Sequence, residues 1–405
     1  MFRSCCALFL STLVITVYAG DWPQWLGPNR NGVSEEVVKP WTGDLKPAWK
    51  VAVGEGHSSP IVAAGKVFLH SKINGEEKEQ VEAFDAKTGE PRWKQSYERT
   101  KFQNQFGNGP RSTPLFHDGR LYTLGATGIL TCWEAATGKL EWQHDLLKEF
   151  GGKNLFFGVS TTPLAFKDLV LVMVGAPGAS VVAFDRKSGE MKWKAGDDAA
   201  SYASPILVQD RLAVFLTAMG VRCYEAASGK EAWFQPFADL LLESSSTPVC
   251  DGGRLVVSSI TAGTLCLQNM GYGEGFATKP AQAWKDGKLC CYFATPILHG
   301  EQIYVVTGSV PPMAQANLHC IDLKSGKELW KRDKVGKYHA TLLKTKDKML
   351  MLEEPGDLVL FDPNPTEYKE LARAKICGNT WAHPALAEGK FYVRDAKELM
   401  CVELK

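Results

Sequence analysis

The chain has 405 residues, 45% of them hydrophobic, and its 46 basic side chains nearly balance its 45 acidic ones. This hydrophobic content is enough for a large core, while the balanced charge offers no basic field for nucleic acid or an anionic membrane. The 38 glycines and 12 tryptophans indicate many tight turns and a large apolar side chain that recurs along the chain.

Residues 1–19 have the pattern of a secretory signal peptide. Arg3 supplies a positive start, the apolar run extends from Ala7 to Val17, and Ala19 ends a small-residue cleavage site. The run is too short to span a membrane. The sequence therefore predicts a periplasmic or secreted protein whose mature part is residues 20–405, and we expect a monomer without a membrane span.

One phrase recurs along the mature chain: a small residue, an apolar residue and an acid, followed by Thr or Ser, Gly and then Trp. Its complete copies are AFDAKTGEPRW at 83–93, CWEAATGKLEW at 132–142, AFDRKSGEMKW at 183–193, CYEAASGKEAW at 223–233 and CIDLKSGKELW at 320–330. Weaker copies begin at Cys266, Leu360 and Cys401. The eight starts lie about 40 to 54 residues apart, which is the length of a four-stranded propeller blade.

A second phrase, Ser or Thr followed by Pro and an apolar strand, precedes most copies. Its prolines are Pro60, Pro114, Pro163, Pro205, Pro248, Pro296 and Pro384, with Leu342 in the seventh place. Proline suits the first residue of a strand, where no ladder donor is needed. Each unit is therefore predicted to be strand, turn, strand, loop, strand, Thr-Gly turn and strand.

These two phrases predict an all-β fold: one eight-bladed β-propeller of four-stranded antiparallel blades, in a single domain over 20–405. In each third-to-fourth-strand turn the acid accepts hydrogen bonds, Gly supplies a positive φ, and Trp covers the neighbouring blade. The last blade lacks a fourth strand and its Trp. Because KPAWKVAVG around Trp49 resembles EPRWKQ around Trp93, we expect the N-terminal strand to complete that blade.

The phrase at 83–93 resembles the tryptophan-docking motif of the quinoprotein alcohol dehydrogenase-like superfamily of pyrroloquinoline-quinone-like (PQQ-like) repeats. That superfamily includes the propeller subunit of the outer-membrane barrel-assembly machinery. The opening DWPQWLGPNRNGVS, from Asp21, resembles the start of secreted repeat proteins of this kind. For a dehydrogenase the resemblance implies PQQ and calcium as cofactors. The chain has no C-x-x-C-H haem attachment sequence, however, and no position is assigned to the family's calcium ligands.

Innermost strands line a propeller's channel, so the loops that enter them surround its mouth. Three residues before the proline position the blades present a polar and aromatic ring. Its members are His57, Arg111, Ser160, Tyr202, Ser245, Phe293, His339 and Trp381, with His383 two residues further on. We expect this ring to line a ligand-binding mouth over which loop 99–111 folds. The three histidines allow a metal or general-base role, although hydrogen-bonded loop histidines are the simpler interpretation.

The cysteines are mostly explained by packing. The first position of the phrase alternates between alanine and cysteine, and its cysteines are Cys132, Cys223, Cys266, Cys320 and Cys401. The adjacent pair Cys290-Cys291 resembles the vicinal disulfide of the superfamily's enzymes but stands in the sixth blade instead of an early one. A redox role and an ordinary loop pair both remain open, and no metal-ligand spacing is present.

Three functions are compatible with these observations. The first is a non-catalytic binding or scaffold propeller whose funnel face binds a protein or another ligand. The second is a small PQQ-dependent alcohol or sugar dehydrogenase. The third is a carbohydrate-binding propeller whose aromatic mouth takes glycans. The missing haem attachment and capping insertions favour the first, and no catalytic residue is assigned.

Overall fold

The computed structural model describes residues 20–251, 253–269, 272–273, 276–277, 279–309 and 314–404. The predicted signal peptide, residues 1–19, lies outside the described residues. Within them, eight four-stranded antiparallel sheets form a ring, which confirms the predicted eight-bladed propeller. The helix that is described, α1, is the single short turn Leu146–Phe150. No helix of this part of the chain is long and apolar enough to cross a membrane.

The strands are numbered in chain order, and β1 is Pro47–Ala52. Blade one contains β2 (Ile61–Ala63), β3 (Lys66–Lys72), β4 (Lys78–Asp85) and β5 (Pro91–Glu98), and blade two contains β6 (Leu115–His117), β7 (Arg120–Leu124), β8 (Ile129–Glu134) and β9 (Leu140–Asp145). Blade three contains β10 (Leu164–Phe166), β11 (Leu169–Ala176), β12 (Ala179–Asp185) and β13 (Met191–Ala195). Blade four contains β14 (Ile206–Val208), β15 (Leu212–Leu216), β16 (Gly220–Glu225) and β17 (Glu231–Pro236).

Blade five carries an inserted hairpin between its third and fourth strands. Blades five to seven are β18 (Val249–Asp251), β19 (Arg254–Ser259), β20 (Gly263–Gln268), the hairpin β21 (Tyr272–Gly273) and β22 (Phe276–Ala277), β23 (Ala281–Asp286); β24 (Ile297–His299), β25 (Gln302–Thr307), β26 (Ala316–Asp322), β27 (Glu328–Gly336); and β28 (Ala340–Lys344), β29 (Met349–Glu353), β30 (Asp357–Asp362), β31 (Lys369–Lys375). Blade eight contains β32 (Ala385–Ala387), β33 (Lys390–Arg394) and β34 (Glu398–Glu403).

The N-terminal strand closes the ring, as predicted. β1 pairs antiparallel with β34 and is the fourth strand of blade eight, with Trp49 directly opposite Cys401. The same pairing of a small residue with a tryptophan recurs in blade one, where Ala83 faces Trp93. Because the first and last strands share one sheet, the ring has no open edge strand at its junction.

The turn between the third and fourth strands is organised by its acid. In blade one, Asp85 Oδ1 accepts hydrogen bonds from the backbone N–H of Lys87 (2.9 Å) and of Thr88 (3.0 Å). A hydrogen bond from the Arg92 guanidinium to the other carboxylate oxygen (2.6 Å) lowers the pKa of Asp85 to about 2. The carboxylate therefore stays ionised and holds the turn shape that the sequence predicted.

Most tryptophans of this motif dock on the next blade. Within the described residues, six indole N–H groups donate to a backbone carbonyl of the following blade at 2.7 to 3.3 Å: Trp49 to Ala86, Trp93 to Ala135, Trp142 to Arg186, Trp193 to Ala226, Trp284 to Leu323, and Trp330 to Asn364. In all of these except Trp330, the glycine of that blade's turn lies on the same indole. A Cβ built on Gly138 would be 2.7 Å from the ring of Trp93. Glycine is therefore required by packing as well as by φ.

Blade seven replaces this motif with a complementary pair. At its Trp position stands Ala372, and the facing residue, which is small in the other blades, is Leu360. Both are buried. In this blade the larger residue of the pair stands on the third strand instead of the fourth. The pair therefore still fills the space between the strands, although with a different shape.

The Ser/Thr-Pro phrase joins neighbouring blades around the mouth. The prolines stand directly before their strands rather than as the first strand residue, and Leu342 lies inside β28. The hydroxyl before the proline accepts a backbone N–H from the preceding blade: Thr113 from Ser59 (3.4 Å), and Ser59 in turn from His383 (2.9 Å). These bonds explain why a hydroxyl recurs at this position.

The N-terminal segment, residues 20–46, crosses the channel and touches every blade. Its contacts are Trp22 with Val62, Pro23 with Phe116, Arg30 with Pro163 and Pro205, Trp25 with Thr247, Gly32 with Ile297, Ser34 with Lys344, and Glu36 with Gly389. The sequence analysis did not foresee this course. The segment forms the floor of the space at the mouth.

The docking of indole on glycine predicts unequal costs for two alanine substitutions in blade two. Gly138 (φ +76°) and Gly119 (φ +75°) have the same backbone conformation, but nothing lies within 4 Å of a Cβ at Gly119. Gly119→Ala is expected to lose about 1–2 kcal/mol of unfolding free energy from the left-handed backbone alone. Gly138→Ala should lose roughly 1–3 kcal/mol more because it displaces Trp93. Chemical denaturation measures both, and equal losses would contradict the docking argument.

Candidate binding site at the propeller mouth

The mouth face is the face formed by the loops that enter the inner strands. A cavity of about 120 Å³, called here the mouth cavity, lies at its centre. The predicted ring residues that line it are His57, Arg111, Ser160, Tyr202, Ser245, Phe293 and Trp381. His339 lies beside it, its ring 6.2 Å from that of Trp381, and His383 packs on Trp25 at 5.3 Å. The structure brings the predicted ring together, while its ligand-binding role stays a prediction.

Trp381 is the centre of the aromatic side of the cavity. Its ring stacks on His57 (5.3 Å between centroids) and on Phe293 (5.5 Å), and Tyr338 meets it edge-on at 5.8 Å. Its indole N–H donates to Glu354 Oε1 at 2.8 Å. The other oxygen of that carboxylate accepts two backbone N–H groups, so Trp381 is held by a buried and fully engaged anchor.

Loop 99–111 folds over the mouth, as predicted. Phe106 lies 5.9 Å from Trp381, and His57 hydrogen bonds through Nε2 to the Phe106 carbonyl at 2.8 Å. The base of the loop is fixed by Arg99, which donates to the buried Glu79 carboxylate (2.9 Å) and to the carbonyl of Asn108 (2.6 Å). The loop is therefore a fixed wall of the cavity.

Three residues important to the site were missed in the sequence. Trp25 and Phe157 line the cavity, and Arg30 lies beneath it. Arg30 is 3% exposed and donates to the carbonyls of Pro163 (2.9 Å) and Pro205 (2.8 Å) and to the Thr162 hydroxyl. A signal was present, since the stretch DWPQWLGPNRNGVS contains two tryptophans yet lies outside the repeat. Only the fold reveals that it enters the channel.

The cavity wall also includes hydroxylic and basic side chains. Arg111 donates to the carbonyls of Gly107 (3.0 Å) and Phe106 (3.2 Å), and burial lowers its pKa to about 10, so it stays cationic. The Tyr202 hydroxyl accepts the N–H of Phe157 at 3.2 Å. Ser160 and Ser245 donate to the carbonyls of nearby backbone. Neither aspartate nor glutamate is among the described residues that line this cavity.

The three histidines are neutral at pH 7. Burial lowers the pKa of His57, His339 and His383 to about 4. His57 and His383 hydrogen bond to backbone carbonyls, the latter through Nδ1 to Pro384 at 2.9 Å. In the described part of the chain no three His, Cys, Asp or Glu side chains are grouped as a metal site.

A second cavity of about 290 Å³ adjoins the first, with His57 and Trp381 lining both. Its wall includes the charged residues Glu354, Arg394 and Asp395. The Asp395 carboxylate accepts three backbone N–H groups at 2.8 to 3.0 Å. Both carboxylates of this wall are thus engaged in holding loops.

The cysteines behave as packed thiols. Those of the repeat are buried opposite a tryptophan, as Cys132 is opposite Trp142. Cys290 and Cys291 are free thiols, and neither lines the mouth cavity as described. Burial raises the pKa of Cys291 to about 12, so it is protonated at neutral pH. Packing therefore accounts for Cys291, while Cys290 is half-buried.

The residues at the mouth do not fit a quinone with its calcium ion. A cavity of about 150 Å³ holds one benzene ring, so about 120 Å³ matches a single ring or side chain rather than a tricyclic cofactor. Calcium takes six to eight oxygen ligands, commonly carboxylates. The mouth cavity has none among its described lining residues, and the carboxylates of Glu354 and Asp395 already accept hydrogen bonds.

Comparison with known proteins identifies a family. The model of the outer membrane protein assembly factor BamB family matches residues 35–101 and 77–332. BamB of Burkholderia pseudomallei is 27% identical over 56% of this chain and 57% of its own length. The quinoprotein alcohol dehydrogenase PedH of Pseudomonas putida is 23% identical over 46% of this chain. The chain spans only 30% of PedH and little more than half of that BamB.

Among solved structures, the quinohemoprotein alcohol dehydrogenase of Comamonas testosteroni superposes with a TM-score of 0.69. The alignment covers 95% of this chain and 80% of the dehydrogenase at 14% sequence identity. At that identity the likeness concerns the fold alone.

The buried histidines predict a loss of stability in mild acid. In the unfolded chain each has a pKa near 6.5, and in the folded protein near 4, so between these values the unfolded state binds more protons. Unfolding free energy should therefore fall as pH drops from 6.5 towards 4, by up to about 1.4 kcal/mol per pH unit for each histidine.

The test is the pH dependence of unfolding free energy between pH 6.0 and 5.0. His383→Asn should flatten the slope, because it removes one of the three histidines whose pKa burial lowers. If His383→Asn leaves the slope of unfolding free energy against pH unaltered, the lowered pKa of His383 is contradicted.

Proposed function

This chain belongs to the outer membrane protein assembly factor BamB family, and from that premise we propose that it is a non-catalytic, extracytoplasmic propeller that binds a partner protein through its mouth face. The predicted signal peptide supports the compartment. The single observation that carries the binding role is a set of five exposed apolar side chains in loops of the mouth face. These are Phe156, Met219, Leu240, Leu241 and Leu242, named here the apolar arc.

The arc is confined to one sector of the mouth face. Its residues lie in loops of blades two to five. These are loops between consecutive blades, or between the second and third strands of a blade, and both kinds lie on the mouth face. Leu240 is 88% exposed and Phe156 is 62% exposed. Leu240, Leu241 and Leu242 are consecutive in the chain, and grouped exposed apolar side chains of this kind mark interaction sites.

The leucines are held in place rather than loosely exposed. Asp239 is buried, and its Oδ1 accepts the N–H of Leu241 at 2.8 Å while Oδ2 accepts the N–H of Thr261 at 3.2 Å. The N–H of Leu240 donates to the Thr261 hydroxyl at 2.7 Å. A preorganised loop binds with less loss of conformational entropy, which favours a partner-binding role.

The arc is continuous with the mouth cavity. Phe156 meets Phe157 edge-on at 4.9 Å, and Phe157 lines the cavity. On the other side, the N–H of Tyr202 donates to the carbonyl of Ser244, next to the lining residue Ser245. A protein bound on the arc is therefore able to place one side chain in the cavity. An apolar centre with a polar rim is the usual anatomy of a protein interface.

The other two functions are less well supported. The quinone-dependent dehydrogenase lacks a set of calcium ligands among the described residues that line the mouth cavity. For glycan binding, the ring of Trp381 already stacks on His57 and Phe293, which a sugar would have to displace.

Replacing the arc leucines with serine should abolish partner binding. The variant Leu240→Ser/Leu241→Ser/Leu242→Ser keeps the loop's backbone hydrogen bonds and removes its apolar surface. The partner is measured by quantitative mass spectrometry of proteins that are crosslinked in the native cells and purified with the tagged full chain. We expect a loss of at least tenfold.

A matched control places three serines on exposed apolar residues of the outer strands: Leu140→Ser, Met191→Ser and Leu329→Ser. The control should retain the partner. Equal loss in both variants, or an unchanged level in the arc variant, overturns the proposal. Thermal unfolding of both variants establishes that they are folded.

A further inference from the structure

We propose that the mouth cavity binds an apolar carboxylate, that is, one aromatic ring or branched aliphatic group joined to a carboxylate. The inference deepens the proposed function and rests on it, because it specifies which part of a partner enters the cavity. It depends on three features of the wall: its charge, its hydrogen-bond donors and its size.

The charged side chain in the cavity lining is the cation Arg111, and the carboxylate that interacts with it electrostatically, Glu55, is not a lining residue. Arg111 lines the cavity, Arg30 lies beneath it, and His57 is neutral at pH 7. Arg30 donates to carbonyl and hydroxyl groups only, so no carboxylate among the described residues neutralises it. Burial lowers its pKa to about 9, which leaves it cationic. A buried cation without an anionic partner is costly, and an anion at this site offsets that cost.

Three hydroxyl groups supply donors on the same wall. Thr162 accepts from Arg30, Ser204 accepts the N–H of Thr162 at 3.2 Å, and Tyr202 accepts the N–H of Phe157 at 3.2 Å. Each of these hydroxyl oxygens accepts a hydrogen bond. Within the described structure, the proton of each hydroxyl is not donated to any protein group. All three residues line the cavity. A carboxylate has acceptor sites only, which matches such a wall.

The remainder of the cavity specifies an apolar body. The aromatic rings of Trp25, Phe157, Phe293 and Trp381 form much of the rest of the lining. The volume of about 120 Å³ is slightly below that of a cavity of roughly 150 Å³ that holds benzene. One side chain with its carboxylate at the hydroxylic wall fills this space.

Two sources provide this chemistry. One is the C-terminal residue of a polypeptide, which the adjoining apolar arc is placed to bind. The other is a free small aromatic acid. Both carry the same recognised group, so the experiment compares them directly.

The test is calorimetric titration of the full chain at pH 7.5 with N-acetyl-L-phenylalanine and with its neutral carboxamide. We expect the acid to bind at least tenfold more tightly. Tyr202→Phe, which removes one hydroxyl, and Arg111→Gln should each reduce that preference to less than threefold. Arg111→Lys, which keeps the charge, should retain it better than Arg111→Gln. Arg92→Gln, in an exposed turn of blade one, should leave it unchanged.

Equal affinity for the acid and the amide overturns the inference, and so does the binding of neither. A preference for the acid that Tyr202→Phe and Arg111→Gln leave unchanged overturns it as well. A tetrapeptide ending in phenylalanine with a free carboxylate is then compared with phenylacetate. Tighter binding of the peptide assigns a polypeptide C-terminus, and tighter binding of phenylacetate assigns a free acid. The triple serine variant of the arc should bind the acid normally, so failure of the partner-binding proposal and failure of this inference give different results.

Discussion

The contact on which the structure depends is an indole lying on the turn glycine of the next blade. It combines a large buried apolar surface with a hydrogen bond from the indole N–H to a fixed carbonyl, as in Trp93 with Gly138 and Ala135. Because one blade cannot cover its own tryptophan, each blade needs its neighbour. The spacing of the blades, and with it the position of every mouth loop, follows from this repeated contact.

The N-terminal part of the chain closes the ring of blades and forms part of the candidate binding site. β1 completes blade eight, and the preceding residues 20–46 cross the channel, so the mouth has a floor rather than an open hole. That floor brings Trp25 and the buried Arg30 to the cavity. A mouth lined by aromatic, cationic and hydroxylic side chains, with the apolar arc in nearby loops, has the chemistry that the proposed binding role requires.

Much of this fold was accessible from the sequence because its determinants are local and repeated. The acid, glycine and tryptophan of the phrase act within one turn and one neighbouring blade, and the likeness of Trp49 to Trp93 was enough to predict closure. The eight mouth positions followed from counting. What could not be predicted is non-local: Arg30 reaches Pro163 and Pro205, far away in the chain. The ligand also could not be predicted from the repeat, because it depends on the few positions at which the blades differ.

The central claim is that a partner protein sits on the mouth face. The most direct measurement is site-specific photo-crosslinking in the native cells, with a benzophenone side chain placed at position 240 of the apolar arc or at position 140 on an outer strand. The account predicts a discrete crosslinked species from position 240 and none from position 140. Crosslinks of equal yield at both positions, or from position 140 alone, would contradict it.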